Sequence, residues 1–558
     1  MAENLSGQIP STSEGTIAEN YHGRSLRAAL SHPILATILV GLGMAAIFIA
    51  FLSAVQFSTP ALAGVDGYYH IRIADIMRTQ GLKPGFPWLP LTILNPREYY
   101  DHHFLFHVAL IPFTSGDLRM GAKLASVLFP AMAFLSIWWL LRSQRVPHSN
   151  LWALGLLAIS EAFIYRMSLL RAQSLSLAVM VIGLHFMLAK KHAWLLPLGF
   201  IYVWMYDAFP MLLVLSVIYS ASILLMERRL EVRPVLFSGL GIALGLIVNP
   251  YFPADIIFIL RHLLPKLTQT TALDVGSEWY PYNTGQLLEN SPLTLVVFLS
   301  GVIALGMQSQ RMQTRTAATL FIAMLFGLML FQSRRFIEYF PPFALIFAAF
   351  AWSPLIEAES GEARSGPKRT ALGTSLRAFL PGASRASPRQ PASLRQLASL
   401  RQLASLRQLV SLGLLIVFLI PGVFLTLRAA QATIETSKPY TLFEGASNWL
   451  QANTPVGSRV FQTDWDDFPR LFYFNTHNTY LVGLDPTYMQ LYNAPLYDLW
   501  VKITKGDVER PSKMIYDRFG ARYVVSDLNH GGFIRQAERD PGLDEVYRDK
   551  EAVIFALK

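Results

Sequence analysis

The stretch "AGVDGYYHIRIADIMRTQG", Ala63–Gly81, follows directly on the apolar run Ile34–Phe57 and places an acid, two tyrosines, a histidine and an arginine within seven residues, Asp66 to Arg72. A plain connecting loop needs none of them. The preceding run has the roughly 20 apolar residues that cross a bilayer, so the cluster stands at a membrane face. A carboxylate held there is costly and reads as functional, which singles out Asp66. Tyr68 and Tyr69, with Trp88 further on, read as aromatic anchors at the headgroup level.

The rest of the chain sets this cluster in context. Of its 558 residues, 53% are hydrophobic, 12% aromatic and only 15% charged, and the mean hydropathy is +0.36. A soluble chain of this length is not so apolar, so the composition implies a polytopic α-helical membrane protein. The absence of cysteine excludes disulfides and thiolate metal sites. The net charge of +10 does not point to nucleic acid, because much of the excess falls in Arg364–Arg407, which reads as a membrane-flanking loop.

Apolar runs predict about 11 spans, with 12 or 13 on a looser reading: near Ile34–Phe57, Gly121–Leu141, Asn150–Tyr165, Ser174–Leu188, Ala193–Tyr206, Phe209–Met226, Pro234–Val248, Pro292–Met307, Ala317–Phe331, Phe343–Ser353 and Leu409–Leu427. Phe104–Phe113 reads as a short span or an interfacial helix. Lys and Arg in the short loops (Arg142, Arg145, Lys190, Lys191, Arg228, Arg229, Arg233, Arg311, Arg315) fall on one side with Arg24 and Arg27. That side is cytoplasmic by the positive-inside rule, and an inner or plasma membrane protein with Asp66 on the opposite face is expected. Ala61-Leu62-Ala63 has the form of a signal-cleavage site, but the apolar run before it is too long, so an uncleaved anchor is expected.

The predicted organisation is a cytoplasmic segment 1–33, a membrane domain 34–427 and an extracytoplasmic α/β domain 428–558. The membrane domain carries outer loops at 58–103 and 249–291 and a basic low-complexity loop at 354–408, where "ASLRQL" recurs three times from Ala392. In the last domain, β-rich runs ("SRVFQTD", "NTYLVGLD", "ARYVVSD", "AVIFALK") alternate with helical ones such as "PSKMIYDRF". "ADIIFILRHLLPKL", from Ala254, reads as an amphipathic piece lying in the interface.

The outer face collects ionisable groups that topology does not require. Asp66, His70, Arg72, Asp101, His102, His103 and His107 fall in or beside the first loop, and four of the chain's twelve histidines lie between His70 and His107. Histidine beside carboxylate suits a divalent metal or a proton transfer near neutrality. Arginine is disfavoured in short outer loops, yet Arg166 and Arg171 flank one hairpin and Arg334-Arg335 another. Guanidinium forks grip phosphate; the alternative is pairing, Arg334 or Arg335 with Glu338 and Arg166 with Glu161.

These residues resemble those of the GT-C glycosyltransferases: an acid after the first span, two long outer loops, and a soluble domain after the last span. Within that superfamily the chain most resembles the catalytic subunit of oligosaccharyltransferase. "VDGYYHIRIADIMR" is similar to that family's first acidic motif, "DVGSEWYPYNTG" to the motif of its mobile outer loop, which points to Glu278, and "TDWDDFPRLFYFNTHNTYLVGLDPTYM" to its WWDYG element, which points to Asp464, Trp465, Asp466 and Asp467. Two departures stand out. The place of the second acidic motif reads "LLRAQSLS", with Arg171 and no carboxylate, and the WWDYG-like element lacks the glycine and tyrosine. Protein O-mannosyltransferases and lipid A aminoarabinose transferases share the general plan.

The resemblance implies a membrane glycosyltransferase that moves a sugar or glycan from a polyprenyl-phosphate or polyprenyl-diphosphate donor to a protein, lipid or polysaccharide acceptor, with inversion. Asp66, Asp101 and Glu278 would be catalytic, Arg334, Arg335 and Arg171 would bind donor phosphate, and Asp464–Asp467 would meet the acceptor. A divalent cation, Mg²⁺ or Mn²⁺, would be held by Asp66, Asp101, His102, His103 and Glu278. The competing readings are a lipid-linked glycan transporter or flippase, and a non-catalytic lipid-glycan binder. Against a transporter stand the absence of repeated spans and the placing of charge in loops rather than at mid-membrane.

Overall fold

Within a bilayer every backbone N–H and C=O must find its partner inside the chain, so long apolar runs become helices. In the computed structural model of the protein, the described residues are 33–263, 276–365, 413 and 419–558. The expected N-terminal segment up to residue 32, most of the basic loop with its hexamer repeats, and parts of the second long loop and of the last expected span lie outside them.

Among the described residues, four helices are long and apolar enough to cross a membrane: Ile34–Gln56, Leu118–Ser143, Pro210–Glu227 and Phe340–Ala358. A fifth crossing is made if Thr284–Asn290 and Pro292–Met307, bent by 94° at Ser291, count as one span. The remaining expected spans in the described residues are shorter apolar helices, among them Gln173–Leu188, His192–Met205, Arg233–Ile247 and Thr314–Met329. The expectation is about 11 spans, several of them shorter than a full crossing, and length and composition in these residues do not confirm that count. One of the eleven, Asn150–Tyr165, is broken outright. Ser149–Leu154 passes into a 3₁₀ turn at Gly155–Leu157, and a new helix, Glu161–Met167, starts where the Ser160 hydroxyl accepts the Phe163 N–H at 3.1 Å. The new helix ends at Met167, which leaves Arg166 beside the loop that carries Arg171.

The first helix, Pro33–Gln56, is tied at its C-terminal end by a buried lysine of the next long helix. Lys123 Nζ donates to Gln56 O at 2.8 Å and to Thr59 O at 2.7 Å, satisfying a carbonyl that the helix end leaves open and one in the turn after it. Just beyond that end stands the quoted stretch, as the helix Asp66–Gln80.

The C-terminal part of the chain forms a five-stranded mixed sheet of order β2-β1-β3-β5-β4: β1 Arg459–Gln462, β2 Thr479–Tyr480, β3 Tyr523–Asp527, β4 Leu543–Arg548 and β5 Ala552–Leu557. The pairs β1/β2 and β1/β3 are parallel, with Phe461 opposite Val524; β5 runs antiparallel to both β3 and β4. One face of the sheet has its own core, with Phe461, Trp500, Phe519, Phe533 and Phe555.

The other core is shared with the first loop. Tyr69, Phe86, Trp88 and Tyr100 pack with Phe468, Phe472 and Tyr480. Trp88 Nε1 donates to Thr476 O at 2.9 Å, and the Trp88 carbonyl accepts Tyr480 N–H at 2.8 Å. The sheet domain is thus a cap seated on the Asp66–Gln80 helix and the loop that follows. This corrects the reading of Tyr68, Tyr69 and Trp88 as headgroup anchors. All three are buried, and Tyr68 stacks on Tyr440 under the Arg470 guanidinium, 4.9 Å away.

Candidate functional site

Asp66 is the first residue of its helix, where the positive end of the helix dipole favours an acid. Glycines on either side let another segment approach it closely. A Cβ at Gly64 would meet Leu169 Cδ2 at 3.1 Å, and one at Gly67 would meet Leu170 Cβ at 3.1 Å. Leu169 and Leu170 press into these gaps and deliver the next residue, Arg171, to the acid. Arg171 Nη2 lies 2.6 Å from Asp66 Oδ2.

The other terminal nitrogen of the same guanidinium, Arg171 Nη1, donates to Glu278 Oε2 at 2.7 Å. Glu278 is held by backbone stitching between two loops: Ser333 Oγ donates to Glu278 O at 3.0 Å, Arg334 N–H to Tyr280 O at 3.0 Å, and Tyr282 N–H to Leu330 O at 3.0 Å. The same stitching presents Arg335, whose Nε stands 3.5 Å from Glu278 Oε1 while its guanidinium lies over the Trp279 ring at 4.7 Å and reaches the Tyr206 hydroxyl at 3.3 Å. Arg166 completes the group. Its Nη1 donates to Glu278 Oε2 at 2.7 Å, and its Nε and Nη2 both donate to Glu338 Oε1. Burial pushes the Glu278 carboxyl up, but Arg171, Arg335 and Arg166 together outweigh it and hold the group well below the usual carboxylate range.

Asp66, Glu278 and Glu338 therefore alternate with Arg166, Arg171 and Arg335, three anions with three cations, at the seam between the helices and the cap. The network is not sealed: the Asp66 side chain is 30% exposed and Glu278 22%. Arg166, read evenly from sequence as a phosphate ligand or a partner of Glu161, turns to Glu338 and Glu278, while Glu161 accepts from the Thr433 hydroxyl at 2.7 Å. Arg334 departs from expectation. It donates to Gln286 Oε1 at 3.0 Å and lies over Tyr282, so of the two arginines expected at this site only Arg335 faces Glu278.

Asp101 belongs to a second, fully buried group. Its Oδ2 accepts from His107 Nδ1 at 2.8 Å, and His107 Nε2 shares a 2.8 Å hydrogen bond with His70 Nδ1. His70 is four residues after Asp66, on the same face of the helix. Burial, then His107 and Arg171, push the His70 imidazole well below its ordinary value; burial and then His102 and His70 do the same to His103. His102 is stacked on Phe258 and His103 on Tyr206.

The acidic run of the cap lies against the loop of Glu278. The Trp465 ring comes within 3.9 Å of where a Cβ would stand on Gly276, whose φ of +94° favours glycine. Burial first, then Asp464, raises Asp466 to about 6; burial, then Asp466, Asp464 and Asp527, raise Asp467 well above the usual range, and Asp467 Oδ2 has no hydrogen-bond partner among the described residues. The folded chain keeps the Asp466 proton where the unfolded chain, ionising near 3.8, has lost it. Stability falls accordingly as the pH rises through that interval and stays lowered above about 6. Asp466→Asn is expected to raise the melting temperature of the cap at about pH 7.5, with the gain shrinking as the pH is lowered toward about 4; a gain independent of pH would contradict this.

The cation that the resemblance implies needs several carboxylate or imidazole lone pairs turned on one point. Among the described residues no three His, Asp or Glu side chains are so grouped. The five expected ligands are divided: Asp66 and Glu278 clasp Arg171, Asp101 holds His107, and His102 and His103 stack on aromatic rings. As they stand, these residues do not fit a divalent ion.

Sequence reasoning missed the pairing of Glu338 with Arg166, the place of Tyr206 and the bridging part of Arg171. The signal for the last was the pair Gly64 and Gly67 around Asp66, which marks a close approach.

No protein-family model and no curated protein sequence matches this chain. Solved structures do match. The oligosaccharyltransferase of Archaeoglobus fulgidus in its apo form aligns over 93% of this chain and 74% of its own length, with 13% identity and a TM-score of 0.60. ArnT from Cupriavidus metallidurans, bound to undecaprenyl phosphate, aligns over 93% of this chain and 98% of its own, with 17% identity and a TM-score of 0.53. Arabinofuranosyltransferase AftD from Mycobacteria aligns over 92% of this chain and 40% of its own, with 13% identity and a TM-score of 0.50. All three are GT-C glycosyltransferases, and this chain shares their fold.

Proposed function

We propose that this protein is a glycosyltransferase that moves a sugar or glycan from a polyprenyl-phosphate or polyprenyl-diphosphate donor to an acceptor, on the extracytoplasmic side of an inner or plasma membrane. The observation that carries this reading is the meeting of Asp66 with Arg171, Glu278, Arg335 and Arg166 at the seam between helices and cap. The chemistry has two needs. An acceptor O–H or N–H must lose its proton as it attacks the anomeric carbon, and the bond from that carbon to the phosphate oxygen must break with its electron pair leaving on phosphate.

Arg171 engages Asp66 Oδ2, and Oδ1 is the oxygen that takes the acceptor proton. Arg335 and Arg171 supply fixed positive charge for the departing phosphate, and the Tyr206 and Trp279 contacts keep Arg335 in place. Attack from the side opposite the phosphate inverts the anomeric centre. The acidic run Asp464–Asp467, facing the Glu278 loop, is suited to line the acceptor's approach. The Lys and Arg distribution in the short loops supports a cytoplasmic N-terminus and puts the cap outside.

The test is release of free polyprenyl phosphate or diphosphate by protein reconstituted in bilayers with a lipid-linked sugar. Release that requires an added acceptor, equimolar with glycosylated product, is the expected result. Movement of the intact lipid between leaflets, or binding without release for protein, lipid and polysaccharide acceptors alike, would overturn the reading.

A further inference from the structure

We propose that the Arg171 guanidinium is the resident cation of this site, standing between Asp66 and Glu278 where a divalent ion would otherwise bridge them, so that the site works without a metal. The inference rests on the transferase reading for what the cation serves, but its geometry is independent of it. Asp66 and Glu278 come from segments more than 200 residues apart in the chain and converge on one guanidinium, with Nη2 on one carboxylate at 2.6 Å and Nη1 on the other at 2.7 Å.

Three features close the position to an added ion. Glu278 Oε2 already accepts from both Arg171 and Arg166, and its Oε1 faces Arg335 at 3.5 Å. Negative charge in the group is matched one for one by Asp66, Glu278 and Glu338 against Arg166, Arg171 and Arg335, leaving none in excess to attract a dication. The remaining candidate ligands are engaged elsewhere, Asp101 with His107 and His102 and His103 on aromatic rings. Arginine stays protonated at every accessible pH, so the charge at this point does not depend on the metal supply. The close packing of Leu169 and Leu170 against Gly64 and Gly67 fixes the side chain's origin.

Manganese is a suitable probe because its binding is read by electron paramagnetic resonance without turnover. The intact protein in nanodiscs is expected to bind no Mn²⁺ at this site up to about 1 mM, the weak end of oxygen-ligand sites, and acceptor-dependent release to be unchanged by chelator. Arg171→Ala, checked for folding by thermal unfolding, frees Asp66, leaves Glu278 one cation fewer and the group one negative charge in excess, and is expected to gain one Mn²⁺ per chain, which Asp66→Asn in the same background weakens by about tenfold or more. One Mn²⁺ per wild-type chain that Asp66→Asn removes would overturn the proposal, as would a folded Arg171→Ala protein with no Mn²⁺ site. Should Arg171→Ala not fold, wild type against Asp66→Asn decides alone. Because the Mn²⁺-binding arms need no activity, they can fail while release stands, or hold while release fails.

Discussion

Asp66→Asn should lower sugar transfer by about 10²- to 10⁴-fold, the range for loss of a positioned proton acceptor, while the protein stays folded. The amide oxygen can still accept from Arg171 Nη2, so the contact that ties the first loop to Arg171 is weakened and not abolished. Chemistry has no such remedy, because an amide does not take a proton near neutrality. The change should appear in kcat with a smaller effect on KM, since donor phosphate is gripped by the guanidinium groups and not by the acid. Asp75→Asn is the matching control. Asp75 lies on the same helix but pairs with Arg72 and Arg78, at 3.3 and 2.7 Å, and its loss should leave transfer unchanged. Activity of the Asp66→Asn protein within a few-fold of wild type, alongside normal unfolding, would remove Asp66 from the chemistry.

Asp66 and Arg171 were legible as candidates because each carries charge at a membrane face where topology does not require it, and Glu278 through the resemblance of its loop motif. Their mutual arrangement was not. Asp66 to Arg171 and Arg171 to Glu278 are each separated by more than 100 positions, and no periodicity in the chain encodes a contact of that kind. Asp101 shows the reverse. It has the composition of a catalytic acid in a catalytic loop, but the fold turns it inward to His107, and only packing distinguishes the two outcomes.

The aromatic residues failed for a related reason. A tyrosine or tryptophan with one polar tip suits a bilayer surface as well as a buried seam with a single carbonyl to satisfy, so Trp88 on Thr476 O could not be told from an anchor. The cap was read from its β-rich runs, yet β4, "LDEVYR", escaped notice. It is the sheet's edge beside β5, and only Leu543 of its six residues is buried, so the alternation that marks a half-buried strand is missing. The span count rests on apolar runs alone. Helices packed inside a bundle are as apolar as full crossings, and Gln173–Leu188 or Arg233–Ile247 differ from one mainly in length.

Arg166→Met is expected to destabilise the protein by about 3–5 kcal/mol, because it strands a buried carboxylate. The Glu338 side chain is 2% exposed, and two Arg166 nitrogens are its hydrogen-bond donors. Glu278, by contrast, keeps Arg171 and Arg335 when Arg166 is lost, so the penalty falls on Glu338. This makes a specific prediction for the double variant. Arg166→Met with Glu338→Met removes the charge together with its partner and should be more stable than Arg166→Met alone, since replacing both members of a buried pair by apolar groups is often close to neutral. A double-mutant cycle by equilibrium unfolding in detergent measures the coupling; additive effects would show that the pair does not interact. Function should separate the two variants in a different way. Both lose the Nη1 contact to Glu278, so in both the loop bearing Glu278 and Arg335 is held less firmly, and KM for the donor should rise even where stability is restored. The Arg166–Glu338 pair then appears as what it is in this geometry: a buried strut whose free guanidinium nitrogen positions the acid on which Arg171 and Arg335 converge.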